Sequence, residues 1–315
     1  MTWIVMPVLA GPSMTEDAIA DCLAQSVDIR LLIVNQGVDP AFRERLEKIA
    51  EDNTDRVFVW HHEPRLPSLS ATWNRALDFV WQAGGTEALV VNNDVRIHAK
   101  TVETLSRILT RDHALFVTAV GVTKEQFEET NFFAVESAPF DHRGGPDFSC
   151  YLISKECHAK FRFDENFIPA FCEDLDYHRR LMLAGEGQRI FSVNLPYLHL
   201  ASQTLKQVEP QQRMKIEQQI GQGSRAYYQK KWGGPVNAER FWVPFGGGVA
   251  ESENKSPTFF SGCGPTTPEI QAWVQKPADP PIDELCRKML DAGDNMVPPP
   301  PPESTAWMQP EDLDE

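Results

Sequence analysis

The first 120 residues alternate short β-branched runs with amphipathic stretches, and this alternation restricts the fold more than any other feature. Strand-sized runs lie at 3–8, 29–34, 57–60 and 88–91, with helical patterns at 13–25, 41–51 and 70–82 between them. Strands that alternate with helices of this length are typical of a parallel sheet covered by helices. We therefore predict an α/β fold, with a further helix and strand between residues 96 and 119.

Local signals predict where several helices begin and end. Ser13-Met14-Thr15-Glu16 has the pattern of a capping box, and Pro40 suits the first position of the second helix. Farther along, helical patterns cover 173–184, which Gly185 would end, and 210–231, a long polar segment. A strand is predicted at 189–193.

Composition excludes some classes of protein. The net charge of −15 argues against binding nucleic acid or anionic lipid by bulk electrostatics, because that binding requires positive surface. The apolar start of the chain is too short for a membrane span of about 20 residues. The six cysteines are scattered, without metal-binding or disulfide spacing. We expect a soluble, cytoplasmic protein with free thiols and no membrane span.

The end of the chain differs from the rest. Thirteen of the 24 prolines lie after Val243, where thirteen acidic residues face four basic ones. Such a segment buries too little apolar surface to offset its ordering entropy. We predict that residues 1–243 form the folded domain and that 244–315 is a Pro-rich acidic tail, largely extended or disordered, with a short helix at 283–292.

Asn92, Asn93 and Asp94 directly follow the fourth predicted strand. This places polar side chains at the carboxyl end of a strand, where open α/β sheets bind ligands. A hard divalent cation prefers oxygen ligands and bridges phosphates, so Asp94 is a candidate metal ligand. Short Asn/Asp clusters also form ordinary turns, and the triplet alone favours that interpretation.

Glu173 and Asp174 stand together at the start of a predicted helix. Backbone N–H groups and the helix dipole stabilise negative charge there, which favours an ionised carboxylate able to accept a proton. Alternatively, the two acids only cap the helix while Asp176 and Arg180 form an i,i+4 pair on its surface. The local sequence does not decide between these interpretations.

His199 follows the strand predicted at 189–193. An imidazole can complete a metal site or contact a phosphate. A single histidine between two leucines is more often a packed, hydrogen-bonded core residue, which is the interpretation that the local pattern favours.

Other segments appear in a characteristic order with these motifs. They are Met6-Pro7-Val8, Ile33-Val34-Asn35-Gln36-Gly37, Leu69-Ser70-Ala71-Thr72-Trp73-Asn74-Arg75-Ala76, Phe163-Asp164-Glu165-Asn166-Phe167 and Glu173-Asp174-Leu175-Asp176-Tyr177, with Arg180 and Ala184-Gly185 after it and His199 last. Over about residues 3–243, the order and separation resemble the family 2 glycosyltransferases of the GT-A fold, of the type carried by bacteria and bacterial viruses.

The resemblance implies a Rossmann-like, mostly parallel sheet and an inverting, metal-dependent transfer from a nucleotide-sugar to a hydroxyl. The expected donor is a UDP-sugar, with Mn²⁺ or Mg²⁺ as cofactor. By position, Asp94 and His199 would bind the metal, and Asp174 would be the general base with Glu173 beside it. The donor would contact Pro7, Val8, Asn35, Asn74, Asn92, Asn93 and Asp147.

This sequence departs from the family pattern at two points. Asn35-Gln36 replaces an acidic pair after the second strand, which affects recognition of the base. Asn92 replaces the first carboxylate of the family's DxD motif, which weakens the metal site. The family also implies a nucleotide-sugar-binding half at 1–120 and an acceptor-binding half at 121–243.

Two further segments, 144–150 and 227–235, look like segments of the virus-borne relatives. In the first, Asp147 and Ser149 could bond sugar hydroxyls; the alternative is a glycine-proline turn. The second has a local basic surplus with aromatics, so Tyr227, Tyr228 and Trp232 could stack on DNA bases. The pattern favours instead a helix that docks Tyr228 and Trp232 on the core.

The acceptor is therefore open among glycans, proteins, small molecules and a hydroxymethylated pyrimidine in viral DNA. Two other classes compete with a glycosyltransferase. A nucleotidyltransferase would need a basic glycine-rich loop near the amino terminus, and residues 9–13 carry no Lys or Arg. A non-catalytic module could bind a nucleotide-sugar or recruit partners through the tail.

Overall fold

The computed structural model of the chain describes residues 2–37, 39–131, 148–200, 210–241 and 244–246. Within them, one sheet has the strand order β3-β2-β1-β4-β7-β6-β8-β5. The strands are Thr2–Val8 (β1), Ile29–Asn35 (β2), Val57–His61 (β3), Glu87–Val91 (β4), Val95–Arg96 (β5), Phe116–Val122 (β6), Cys150–Ser154 (β7) and Ile190–His199 (β8). All four strands predicted in the first 91 residues are present.

The helices of the described residues lie between these strands. They are Pro12–Leu23 (α1), Pro40–Glu51 (α2), Leu69–Gln82 (α3), Thr101–Arg111 (α4), Lys124–Glu128 (α5), Lys155–Lys160 (α6), Glu173–Leu183 (α7), Pro210–Gln219 (α8) and Arg225–Trp232 (α9). Short 3₁₀ turns cover Glu186–Arg189 and Pro244–Gly246, and Ile220–Ser224 forms a π-helical turn.

The sheet is parallel in its first half and mixed in its second. β1 to β4 pair in parallel, and β7 lies antiparallel between β4 and β6. β8 runs parallel to β6 and antiparallel to β5. Because β7 runs opposite to β4, its first residue, Cys150, pairs with Val91 at the end of β4. The start of β7 therefore lies at the edge where the parallel strands end.

Two apolar clusters cover the two faces of the sheet. One contains buried residues of α3, α7 and α9, including Trp73, Tyr177 and Trp232. The other contains buried residues of α1, α2 and α4, including Ile19, Phe42 and Leu105. The helix that carries Glu173 and Asp174 consequently packs on the same face as α3 and α9.

Local details differ from the sequence expectations in two helices. The capping box at the start of α1 is wrong: Gly11 is the N-cap residue, in the left-handed region with φ 87°, and Ser13 lies inside the helix. The Thr15 hydroxyl donates to the Gly11 carbonyl over 2.8 Å. The long helix predicted over 210–231 is broken by the π-helical turn into α8 and α9.

β8 is longer than the strand predicted at 189–193. It continues through Pro196 to His199, with a register irregularity opposite Thr118 and Val120 of β6. The bulge allows a proline inside the strand, and His199 becomes its last residue.

Within the described residues, no helix combines the length and hydrophobicity needed to cross a membrane. Cys22, Cys150, Cys157 and Cys172 are free thiols, as predicted for these four. The helix predicted at 283–292, the turn at 144–146 and the tail beyond 246 lie outside the described residues.

Candidate functional site

Of the triplet Asn92-Asn93-Asp94 after β4, Asn93 has a structural role and Asn92 is partly exposed at the edge of the sheet. The Asn93 amide donates to the Ala10 carbonyl over 2.7 Å and to the Thr15 hydroxyl over 2.8 Å. The Asn92 N–H donates to the Ser149 carbonyl over 3.0 Å, while its side chain is half-buried. Asn93 thus fixes the end of β4 against the β1–α1 connection, and Asn92 joins it to β7.

Asp94 and His199 meet at this edge. The pairing of β5 with β8 sets Val95 opposite His199, and the Leu200 N–H donates to the Asp94 carbonyl over 2.9 Å. As a result, His199 Nε2 lies 3.4 Å from Asp94 Oδ1. The Asp94 side chain is 6% exposed and the His199 side chain 31%. The two predicted metal ligands, 105 positions apart in the sequence, are therefore neighbours.

The Asp94 carboxylate and the His199 imidazole fit a divalent cation that takes its remaining ligands from a substrate and from water. In the described part of the chain, no group of three or more His, Cys, Asp and Glu side chains is placed to hold a metal. One carboxylate and one imidazole suffice for Mn²⁺ or Mg²⁺ when water and phosphate oxygens supply the other positions. The half-exposed imidazole leaves the pair accessible from outside.

Pro7, Val8 and Asn35 lie at the ends of β1 and β2, at the same edge of the sheet, where Val8 pairs with Asn35. All three are buried. The Asn35 Nδ2 is 3.0 Å from His61 Nδ1, and its Oδ1 accepts from the Gly37 N–H over 2.9 Å. The side chain of Asn35 is thus bonded within the protein, where it shapes the loop after β2.

Asn74 is 1% exposed, so its side chain is buried more deeply than contact with a nucleotide-sugar would require. Its Nδ2 donates to the Phe163 carbonyl (2.9 Å) and to Glu165 Oε1 (2.8 Å), and its Oδ1 accepts from the Phe163 N–H (3.0 Å). Asn74 therefore fixes the segment 163–165 against α3. Asp147, the remaining predicted donor contact, lies outside the described residues.

The acid pair opens α7 on an unusual backbone. Phe171 and Cys172 precede Glu173 with φ of 77° and 69°, a conformation that non-glycine residues seldom adopt and that is often found at functional sites. Glu173 is buried, whereas Asp174 is half-buried and its Oδ1 accepts from the Leu175 N–H over 2.8 Å. The two neighbouring carboxyl groups thus have different surroundings.

These surroundings separate the two acids electrostatically. Burial raises the pKa of Glu173 well above its usual range, and the charges of Asp174 and Asp176 raise it further. Burial, with Asp174 and Glu173 after it, also raises the pKa of the Cys172 thiol to about 12. Burial and the neighbouring carboxylate thus both favour the protonated form of Glu173 over its ionised form.

Tyr151 connects the acid pair to the end of β4. It pairs with Val90 of β4, and burial followed by the charge of Glu173 raises its pKa well above the usual value. Its ring meets Trp73 edge-to-face, with centroids 5.8 Å apart. Glu173 is therefore near the strand that leads to Asp94.

Three buried polar atoms around this point have no hydrogen-bond partner in the described part of the chain: Tyr151 Oη, Trp73 Nε1 and Glu173 Oε2. Buried polar atoms of this kind normally find a partner, so each is available to a ligand or water. Sequence reasoning did not single out Tyr151 or Trp73. In the sequence, Tyr151 follows Cys150 in a short apolar run and Trp73 precedes Asn74, and neither pattern is unusual enough to mark a functional residue.

The i,i+4 pair of Asp176 and Arg180 exists, but not on the surface as the alternative for α7 predicted. Arg180 Nε donates to Asp176 Oδ2 over 2.8 Å, and both side chains are 0% exposed. The pair is buried because α9 covers this side of α7: Trp232 Nε1 donates to Asp176 Oδ1 over 2.9 Å.

The basic aromatic segment 227–235 docks on the core, as its pattern favoured. Tyr228, Lys231 and Trp232 are buried, and the Tyr228 hydroxyl donates to Glu239 over 2.6 Å. Tyr227 is half-buried and donates to Asp164 over 3.0 Å. The buried rings of Tyr228 and Trp232 do not offer a stacking surface, which weakens one of the two observations behind a DNA acceptor.

No protein-family model and no curated protein matches this sequence. Solved structures do match. A mannosyltransferase from Pyrobaculum calidifontis, in complex with GDP-mannose and Mn²⁺, is 11% identical with a TM-score of 0.50; the match covers 63% of this chain and 56% of that one. GalNAc-T7 with UDP, GalNAc and Mn²⁺ is 10% identical with a TM-score of 0.51, covering 73% and 50%.

At such low sequence identity, the structural similarity shows the fold alone. The chain has the GT-A type of α/β fold, a mostly parallel sheet flanked by helices, as the sequence predicted. It spans about half the length of these two structural neighbours, both of which are nucleotide-sugar glycosyltransferases.

Proposed function

We propose that this chain is an inverting, metal-dependent glycosyltransferase that moves a sugar from a nucleoside-diphosphate sugar, with a UDP-sugar as the expected donor, to an acceptor hydroxyl. The observations that carry the proposal are the pairing of a buried and a half-buried acid at the start of α7 and the contact of a carboxylate with an imidazole at the edge of the sheet. Transfer requires both a proton acceptor and a site for the leaving diphosphate.

Asp94 and His199 would hold the metal. When bound, a divalent cation would supply Lewis-acid stabilisation of the negative charge on the leaving diphosphate. The residues themselves orient the site: Asn93 fixes the end of β4, and the Leu200 N–H holds the Asp94 backbone beside His199. With two candidate ligands among the described residues, the donor's phosphates would complete the coordination, so donor and metal are expected to bind together.

Asp174 is proposed as the general base. Its position in the first turn of α7 favours the ionised form through the helix dipole. The carboxylate accepts the proton of the acceptor hydroxyl while that oxygen bonds to the anomeric carbon and the bond to the diphosphate breaks. A single displacement of this kind inverts the configuration at the anomeric carbon.

Glu173 is proposed to act as a neutral acid. A protonated carboxyl group is a hydrogen-bond donor as well as an acceptor. Placed near Tyr151 and beside Asp174, it can bond a hydroxyl of the transferred sugar without adding a second negative charge next to the base. Tyr151 Oη and Trp73 Nε1 add polar atoms to the same region.

The residues at the ends of β1 and β2 are proposed to line the donor site. Pro7 and Val8 offer an apolar wall, Asn92 is the triplet side chain that stays half-buried, and Asp147 is retained as a contact to sugar hydroxyls. The buried amides of Asn35, Asn74 and Asn93 are assigned to positioning, because each is bonded within the protein.

Incubation of the chain with Mn²⁺ and a panel of nucleotide-sugars, followed by mass detection of released nucleoside diphosphate, tests the proposal. We expect one donor to be consumed, slowly with water and faster with an acceptor, and consumption to stop in a chelator. Binding of a nucleotide-sugar without any release would instead identify a non-catalytic module. Release that a chelator leaves unchanged would contradict the metal site.

A further inference from the structure

Lys231 of α9 is a buried cation between two carboxylates. Its Nζ lies 2.6 Å from Asp164 Oδ2 and 2.6 Å from Asp176 Oδ1, and the three side chains are 0%, 2% and 0% exposed. Asp164 belongs to the segment before α7 and Asp176 to α7 itself. One lysine of α9 thus joins two parts of the chain that lie far before it in the sequence, the segment before α7 and α7 itself.

The carboxylate of Asp176 has further partners on both sides. Arg180 Nε donates to its Oδ2 over 2.8 Å, and Trp232 Nε1 donates to its Oδ1 over 2.9 Å. Arg180 Nη2 also donates to the Arg162 carbonyl over 2.7 Å. Lys231 and Arg180 balance the charges of Asp164 and Asp176, so removing Lys231 leaves one buried negative charge in excess.

The segment 163–165 carries the connection to the opposite side of the site. Asn74 bonds to Glu165 and to the Phe163 backbone, and the Ser68 hydroxyl donates to the Glu165 carbonyl over 3.0 Å. The Thr72 hydroxyl in turn accepts from the side chain of Gln36, which follows β2. Lys231 is therefore linked through Asp164 and this segment to α3 and to the edge at the ends of the parallel strands.

The start of α7 depends on these contacts. Asp176 is the residue whose N–H donates to the Cys172 carbonyl over 2.9 Å, which closes the first turn around Glu173 and Asp174. Cys172 and Phe171 have backbone conformations that persist only when their surroundings hold them. A shift of Asp176 would therefore move Asp174.

We propose that Lys231 is a positioning residue for the reaction: by bridging Asp164 and Asp176 it fixes the start of α7, and with it Asp174, relative to the donor side. This inference rests on the proposed role of Asp174. A misplacement of about 1 Å at a reacting group lowers rates by about 100-fold, so a bridge of this kind has a kinetic consequence as well as a structural one.

Lys231→Met tests the proposal, with Lys230→Met as the matched control, because Lys230 is the exposed neighbour on the same helix. We expect Lys231→Met to lower kcat for the donor found in the panel by about 100-fold while the donor KM stays within about threefold. Lys230→Met should leave both constants unchanged. Equal losses in the two variants, or a change confined to KM, would overturn the positioning role.

Charge balance gives a second readout that loss of packing alone would not produce. Asp164→Asn added to Lys231→Met removes the excess negative charge, so the double variant should recover part of the lost kcat. Losses that simply add would show that Lys231 acts by filling space, which contradicts the proposal.

Hydrogen exchange separates this inference from the proposed function. In Lys231→Met, the amides of Glu173–Leu183 should exchange at least about tenfold faster, whereas those of β1 and β2 should not. Unchanged exchange in α7 would overturn the bridge, even if no donor is ever consumed. Should Lys231→Met fail to fold, Asp164→Asn is measured in the same way, with a smaller effect expected in the same direction.

Discussion

The two halves of the site are built differently. At the edge of the sheet, Asp94 and His199 are joined by one contact of 3.4 Å, and the histidine is partly exposed. At the start of α7, the carboxylate of Asp176 is enclosed by Lys231, Arg180 and Trp232 at 2.6–2.9 Å. The first half is open to a ligand, and the second is fixed by the protein alone.

This difference indicates that the two regions contribute to different steps, one to donor binding and the other to the chemical step. Where a site is completed by the substrate's own phosphates, loss of a protein ligand should show in donor binding. Where a group is held by buried ion pairs, loss of a partner should show in stability and in the rate of the chemical step.

Asp174→Asn should have the largest effect. A well-placed general base contributes about 10²- to 10⁴-fold in rate, so transfer should fall by that factor while donor affinity is retained. Initial rates at saturating donor, with a fixed acceptor, provide the measurement, and the exposed Glu128→Gln serves as control. Retention of most of the activity would remove Asp174 from this role.

Arg180→Met should destabilise the fold by about 3–5 kcal/mol, because it removes one of the two buried cations that balance Asp164 and Asp176 and leaves one buried negative charge in excess. The chain provides a matched control: Arg213 and Glu217 have the same i,i+4 spacing and the same 2.8 Å contact, but their side chains are 43% and 50% exposed. Arg213→Met should cost less than about 0.5 kcal/mol.

Urea denaturation of both arginine variants gives the comparison. Similar free energies of unfolding for the two would contradict the view that the buried pair holds α7 more firmly than a surface pair does.

Glu173→Gln should have an effect of the opposite sign, a gain in stability that depends on pH. The folded-state pKa of Glu173 is raised above its usual value of 4.5, so its proton stabilises the fold fully below that value. As the pH rises toward the folded pKa, unfolding releases the proton, and the wild type loses up to about 1.4 kcal/mol per pH unit.

The neutral glutamine carries no such penalty, so the variant should gain stability relative to the wild type as the pH rises from 4.5 toward the folded-state pKa of Glu173. The free energies of unfolding of the two proteins, measured across this range, check the prediction. A difference that is constant with pH would show that Glu173 ionises normally in the folded protein.

Much of the parallel half of the sheet, β1 to β4 with the helices between them, could be predicted because its sequence signals are local. β-Branched runs defined the first four strands, and Pro40 and Gly185 marked helix ends. The capping box failed because α1 begins earlier than predicted: its N-cap residue is Gly11, which makes no side-chain cap and has a backbone angle that glycine adopts freely.

The helix α7, which begins with Glu173 and Asp174, could be predicted only in part. Its range followed from the residue pattern, but the burial of Asp176 and Arg180 did not, since an i,i+4 pair looks the same in sequence on a surface and in a core. The bridge from Lys231 to Asp164 spans 67 positions, and no local pattern encodes such a contact. Antiparallel β7 was also missed, because only tertiary pairing places it beside β4.

The most direct test of the account is a titration of nucleoside diphosphate in the presence of Mn²⁺ with three folded proteins: wild type, Asp94→Ala and Asp174→Asn. We expect Asp94→Ala to weaken metal-dependent binding by at least about tenfold. Asp174→Asn should stay within about twofold of the wild type. Unchanged binding by Asp94→Ala, or equal weakening in both variants, would contradict the account in which Asp94 and His199 bind the metal and diphosphate while the start of α7 serves the chemical step.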